Sequence, residues 1–361
     1  MKTRLFPAAG SRFTIRRRLA ALAVTATVAV GAFGGVVDAA PPPSNPLADG
    51  LAGPLAIDVT FGGKVLVSQS FGGVVSSISR RGVVTDLFAE QGVAAVAGVG
   101  LGRVRYTVVG EDGSSLLKER DRHGQTRTIA DLGAYEATAN PDQINTYGFE
   151  NITPACAQEW AAVEEFFGPP QYSGIVESNP YKIAHTIFGT YVADAAANAV
   201  LFVDRRGRVS TVAVLPPQPL VVPEDFAEAN GIPSCAGLTY AFEPVPTDVE
   251  VHRHKLYVST LAGGPEDPSL GARSSVYRIS PRTGAVDRIA TGLLGATDLA
   301  VSPFGKVYVT ELFGGRVSRL AGSNVATVVE LPSPAAVEWA RGRLYVAYDV
   351  FESGKVGTFQ R

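Results

Sequence analysis

The sequence predicts an all-β fold, a six-bladed β-propeller built from four-stranded antiparallel blades, and three observations carry that expectation. The first is composition. With 39 glycines and 24 prolines in 361 residues, no Gly-X-Y period, 46% hydrophobic and 18% charged residues, the chain favours many short strands joined by tight turns over long helices. The second is an internal repeat: Ser70-Phe71-Gly72-Gly73-Val74-Val75-Ser76 recurs as Leu312-Phe313-Gly314-Gly315-Arg316-Val317-Ser318, with matching strands on both sides. The third is the period. Units begin near Pro54, Val93, Pro180, Pro246, Ala296 and Pro334, and four strands in roughly 40 residues plus insertions is the span of a propeller blade.

The chain opens with Lys2, Arg4, Arg12, Arg16, Arg17 and Arg18 and no acid, followed by an apolar run over 19–37. This pattern reads as a secretory signal with cleavage near Ala39. The run is long enough for an uncleaved anchor, and Arg16-Arg17-Arg18-Leu19 also permits a twin-arginine route. Residues 40–50 form a Pro-rich tether, and the propeller occupies 51–361. Without residues 1–39 the chain carries 26 basic against 33 acidic residues, a balance that argues against nucleic acid as a partner. Stable membrane insertion after cleavage is not expected, and a monomer is. Cys156 and Cys235 would meet an oxidising compartment, where a single disulfide is the simplest pairing. Closing a loop of about 80 residues, it would contribute roughly 4 to 5 kcal/mol on a chain-entropy account.

Within each unit a short apolar strand turns into a second strand, such as 64–68, 190–193, 255–260, 306–310 or 343–347. A turn follows the third strand at Arg80-Arg81-Gly82, Arg122-His123-Gly124, Arg205-Arg206-Gly207, Arg282-Thr283-Gly284 and Gly322-Ser323-Asn324; Gly and Asn supply the backbone freedom that hairpin turns need. The last unit has three strands, and the stretch 45–51 is the candidate fourth that closes the ring.

Several segments between and within the blades resemble one family. Asp131-Leu132-Gly133-Ala134-Tyr135-Glu136, Asn140-Pro141-Asp142, Ser178-Asn179-Pro180-Tyr181, Val192-Ala193-Asp194 with Asn198, the strand 209–214, and Val245-Pro246-Thr247 are similar to the ScyD/ScyE family of exported six-bladed propellers over about residues 51 to 348. The Asn140-Pro141-Asp142 and Asn179-Pro180-Tyr181 elements are the specific ones; the blade strands alone equally resemble NHL repeats or sugar-lactone hydrolases. The resemblance implies fold and export, and brings no established catalytic residues.

Connections in such a blade alternate between two faces. Three long insertions, crossovers 133–179 and 216–245 and the turn 262–273, fall on the same one, which is where a binding site is expected. A disulfide between Cys156 and Cys235 would tie the two crossovers. Within the first, residues 158–167 read as a short helix whose stripe Trp160, Val163, Phe166 and Phe167 packs on the propeller. Aligning the units places Ala56, Ala95, Lys182, Asp248, Asp298 and Ala336 at one channel-lining position at the mouth beneath the loops, with Asp194 and Glu311 pointing to the same rim. Lys182, Asp194, Asp248, Asp298 and Glu311 are therefore the candidate ligand-binding residues. Asp248 and Asp298 are the candidate ligands of a hard cation such as Ca²⁺, which takes oxygen donors. The competing account pairs Lys182 with Asp248 or Asp298 and has Asp194 and Asn198 cap a turn.

The function expected is a non-catalytic binding or scaffold module for a small molecule or protein at the long-loop face. The alternative is a metal-dependent lactonase- or esterase-like hydrolase using Asp248 and Asp298 at the channel mouth, although the Glu, Asn and Asp set of lactone hydrolases finds no match. The remaining motifs are weaker. His252-Arg253-His254 sits in a first-to-second turn, His185 on an inner strand, Ser115-Leu116-Leu117-Lys118 on a strand rather than the helix its acyl-enzyme spacing requires, and Asn151-Ile152-Thr153 is a sequon of consequence only in a eukaryotic host. No HExxH, phosphate loop or nucleophile elbow occurs.

Overall fold

Six inner strands, Pro54–Val59, Val93–Gly98, Pro180–Thr186, Pro246–His252, Ala296–Val301 and Ala336–Ala340, stand side by side and close into a ring, the last against the first. The computed structural model describes residues 46–322 and 324–360; the export segment 1–39 and its cleavage point lie outside the described residues. Behind each of the first five inner strands three more follow in chain order, every pair antiparallel. The sixth blade has only three strands of its own, and Ala48–Leu51 pairs with Gly354–Gln360 as the fourth. The ring is thus closed by pairing Ala48–Leu51 with the last described strand, and the closing strand begins inside the stretch read as tether.

Strands of period two bury alternate side chains, and stacking blades face to face buries both sides. One apolar cluster accordingly fills each gap between neighbouring blades. Val67, Ile78, Ala347 and Val356 join the sixth blade to the first, and Leu117, Val192 and Leu201 join the second to the third. The repeat noted in the sequence has a packing reason. Phe71 and Phe313 each lie flat over a glycine at the entry to their blade, Gly53 and Gly295, where an added Cβ would stand 2.4 and 2.5 Å from the ring.

A seventh four-stranded sheet lies outside the ring, in the order Gln171–Ser173, Thr146–Phe149, Thr239–Phe242, Gln218–Val221. Two of its strands come from crossover 133–179 and two from crossover 216–245, so the insertions are one folded unit rather than two loops. It has its own core, including Phe149, Cys156, Trp160, Ile232, Cys235 and Tyr240, and the Cys156–Cys235 disulfide. The expected helix is two shorter ones. In chain order the helices are α1 (Leu132–Ala139), α2 (Pro154–Trp160), α3 (Glu164–Phe167) and α4 (Glu224–Ala229). The break over 161–163 turns the predicted stripe apart: Trp160 packs edge-on against Phe149 inside the insertion sheet, while Phe166 is 78% exposed. The stripe therefore packs on the insertion's own core and not on the propeller. No helix among the described residues is long and apolar enough to cross a membrane.

Candidate functional site

The channel brings three of the five predicted residues together. Lys182, Asp248 and Asp298 are each 5% exposed, and the Lys182 ammonium forms an ion pair with Asp298. Asp248 accepts a hydrogen bond from the Leu299 backbone N–H at 3.0 Å. Burial raises both carboxyls above their ordinary range and the Lys182 charge opposes it. Two residues beyond the equivalent position, on the first, fourth and sixth inner strands, come Asp58, Glu250 and Glu338, a second acidic layer with protonation favoured by burial and, for the two glutamates, by neighbouring carboxylates. This layer was readable from the period of two, since the residue after next on a strand faces the same side. At the loop-bearing ends of the inner strands, apolar clusters around Tyr181 and Leu261 and around Leu55, Leu312 and Val350 are bridged by Phe313. The acidic layers thus lie below an apolar mouth.

Asp194 and Glu311 are engaged elsewhere. Glu311 is fully buried within the fifth blade, where it accepts hydrogen bonds from Arg316 Nε at 2.7 Å and Nη2 through its two oxygens, from Ser318 Oγ, and from the Leu294 N–H. Asp194 accepts from Ser178 Oγ and the Asn179 N–H, both at 2.6 Å, and from Ala197 N–H at 3.2 Å. It holds the start of the third blade to the turn after its second strand.

The segments that carry the family resemblance converge around Asp194. Asp131 caps α1 by accepting from the Ala134 N–H, and α1 carries Glu136 inward to a position 1% exposed. Neither carboxyl oxygen of Glu136 has a hydrogen-bond partner among the described residues. Burial, then Asp194, then Asp142, pushes this carboxyl up to about 8. Asn140 ends α1 in the left-handed region, φ 35°. Beyond it Asp142 accepts from Tyr147 Oη at 3.1 Å and Asn198 Nδ2 at 2.9 Å. Among the described residues no three His, Cys, Asp or Glu side chains are grouped so as to hold a metal ion.

A cleft opens where all three insertions meet. Its walls are Trp160, Phe167 and Tyr172 from the first, Phe226, Tyr240 and Phe242 from the second, with Gly263, Gly264 and Pro265 from the third closing one side. The free volume is about 80 Å³, room for a small headgroup. Gly264, at φ +101°, lets its loop settle on Phe242, whose ring would lie 2.7 Å from an added Cβ. Glu243 is the one carboxylate in the lining. Burial, and after it the Asp142 charge, raises it to about 7. An apolar concavity with one convergent acid of shifted protonation is the usual form of a small-molecule site. A second hollow of about 150 Å³ between the first three blades is lined by Leu55, Val93, Val109 and Tyr181 among others and contains no acid or base in its lining.

The sequence led to the expectation of a binding face on these insertions but gave no sign of the cleft, because its aromatics are scattered across two crossovers that only the extra sheet joins. No family model matches the chain, and no curated protein does. Among solved structures the chain is similar to a gluconolactonase from Xanthomonas campestris, at 12% identity over 87% of this chain and 89% of that one with a TM-score of 0.53. It is also similar to the PQQ-bound aldose sugar dehydrogenase from Streptomyces coelicolor, at 14% identity over 88% and 100% with a TM-score of 0.52. A nidogen/laminin complex matches at 12% identity over 82% and 93%, with a TM-score of 0.50. At such identities the likeness is one of fold, and it supports the propeller.

Proposed function

We propose that this chain is an exported, non-catalytic binding module, akin to the ScyD/ScyE proteins, that takes a small molecule with a cationic headgroup in the cleft between its insertions. The observation that carries this reading is that six aromatic side chains drawn from two crossovers surround a cavity with Glu243 as its acid. Aromatic faces attract an alkylammonium through their quadrupoles, and a carboxylate beside them adds a full charge in a partly desolvated place. Cleavage near Ala39 and the disulfide fit an extracytoplasmic life.

The chain has two tryptophans, and only Trp160 lies in the cleft; Trp339 stacks on Tyr308 in the ring. In a Trp339→Phe background, choline should therefore change the emission of Trp160, and a neutral tert-butyl alcohol isostere should not. Glu243→Gln should weaken choline at least tenfold. Because Glu243 must ionise to attract the cation, affinity should rise as pH passes upward through about 7. Equal responses to the charged and neutral probes, or no response to either, would sink the reading.

A metal-dependent hydrolase with a cation at Asp248 and Asp298 is the second reading, resting on the two carboxyls that the ring buries at one level of the channel. Elemental analysis together with Ca²⁺ titration of the Asp248→Asn/Asp298→Asn variant separates the two: choline binding survives that change under the first reading.

A further inference from the structure

The face opposite the insertions is made of first-to-second and third-to-fourth hairpin turns. Its first-to-second turns are tight and closed by main-chain bonds, as from Thr60 N–H to the Lys64 carbonyl at 2.9 Å and from Ser302 N–H to the Lys306 carbonyl at 2.8 Å. Gly63, Gly102 and Gly305 supply the left-handed backbone that such turns need. Beside them the tips carry Phe61, Leu101, Ile187, Phe188 and Phe304, which are 102, 84, 78, 70 and 83% exposed. They occupy four of six equivalent turns. Folding gains nothing from them, and large apolar groups gathered on one rim mark an interaction surface.

Equivalent turns of a closed ring stand around one rim, and two neighbouring pairs touch directly. Arg341 in the sixth blade's turn donates to the Phe61 carbonyl at 3.0 Å, and Arg253 in the fourth donates to the Pro303 carbonyl at 3.2 Å. Those two turns present basic residues in place of apolar ones, and Lys64 and Lys306 follow Phe61 and Phe304 directly after their glycines. The outer turns on the same face are basic and exposed as well, at Arg81, Arg122, Arg205, Arg206 and Arg282. The acids among them, Asp121 and Asp204, are occupied in closing their own turns, accepting from the N–H groups of His123 and Arg206 at 2.8 and 2.7 Å. A cationic rim with apolar tips stands on a chain whose sequence after residue 39 is net acidic. The chain also enters the described structure from this side, with the Leu47 carbonyl against the Gly82 turn.

We infer that this hairpin face docks peripherally on an anionic lipid bilayer, with Phe61, Leu101, Ile187, Phe188 and Phe304 entering the headgroup boundary and the arginines and lysines contacting lipid phosphates. Apolar side chains immersed at the interface and basic residues held within a Debye length of it act together, each being too weak alone. Docked this way, the protein turns its insertions and cleft away from the membrane.

The test uses the disulfide-bonded chain from residue 40 onward, sedimented with phosphatidylcholine vesicles with and without phosphatidylglycerol. Binding should appear with phosphatidylglycerol and weaken with salt. The Phe61→Ser/Leu101→Ser/Phe304→Ser variant, altered only at exposed tips, should keep its melting temperature and lose binding by about tenfold or more. In Phe61→Trp, emission should shift to the blue on vesicles and be quenched by brominated acyl chains. The proposal is overturned if anionic vesicles do not bind, or if the triple variant binds them as well as the parent does. It also fails if dextran sulfate competes fully while brominated chains leave Phe61→Trp unquenched, which would make the face a polyanion site. Loss of a dimer in the triple variant without any vesicle binding would assign the tips to self-association.

Discussion

The two faces of the ring are built from the same strands and have opposite characters. On one, connections lengthen into a folded unit with its own sheet, core and disulfide, and this side of the ring also holds the buried acids Glu136, Asp142 and Asp194. On the other, every connection between strands of a blade is a tight turn, and specialisation is confined to the tips. The difference teaches that a propeller separates stability from function by position. Six inter-blade clusters hold the ring, so either face can change without the other.

Removing the disulfide is the largest test of that independence. Cys156→Ala/Cys235→Ala takes away a link that the chain-entropy account values at about 4 to 5 kcal/mol, all of it in the insertion unit. Choline binding at the cleft should be lost or weakened strongly, and calorimetry should show a separate low-temperature transition for the insertion. Binding to anionic vesicles should be unchanged. A single cooperative transition shifted as a whole would show that the insertion and the ring unfold together.

The channel runs between the faces, and among the described residues Lys182 is the base that sits with the carboxylates Asp248 and Asp298. Lys182→Met leaves buried charges uncompensated, a change that typically costs about 3 to 5 kcal/mol. The loss should be greatest at high pH. Asp298 is already raised above its ordinary range, and without the ammonium it rises further, so the folded state is favoured while the group stays protonated and loses stability as pH climbs. Melting curves at pH 5 and pH 8 check the sign: the variant should lie closer to the parent at pH 5.

Legibility followed the physics of each part. The blades were readable because strand period, turn glycines and the Phe71 and Phe313 repeats are local signals, and even the closing strand could be placed from a missing partner. Lys182, Asp248 and Asp298 could be placed together in the channel because blades superpose in sequence, and the same alignment carried two residues further reaches Asp58, Glu250 and Glu338. Asp194 and Glu311 were drawn to the rim by their positions on second strands, yet hydrogen bonds from Ser178 and Arg316 turn them to structural use. The insertion sheet was not readable. Its strands, such as Thr146–Phe149 and Thr239–Phe242, pair across about ninety residues with no repeat to announce them, and the cleft exists only through that pairing.

Glu136 gives the smallest effect and the cleanest sign. Its carboxyl is buried without a hydrogen-bond partner among the described residues and held at about 8 by burial and by Asp194 and Asp142, whereas in an unfolded chain it titrates near 4.5. A group raised in this way favours the folded state fully below the unfolded value, and that contribution is lost as pH rises through the folded one. Glu136→Gln fixes the neutral form. At pH 5 the variant and the parent should melt together. At pH 8.5 the variant should be the more stable, by roughly 1 to 2 kcal/mol. Asp194, raised to about 6, and Glu243, raised to about 7, act in the same direction. Some decline in stability between those values should therefore persist in the variant, while the portion near pH 8 disappears. Equal destabilisation of Glu136→Gln at every pH would mean that the side chain is held by contacts only its carboxyl can make, and that this acid belongs to the scaffold of the loop-bearing face and not to its charge balance.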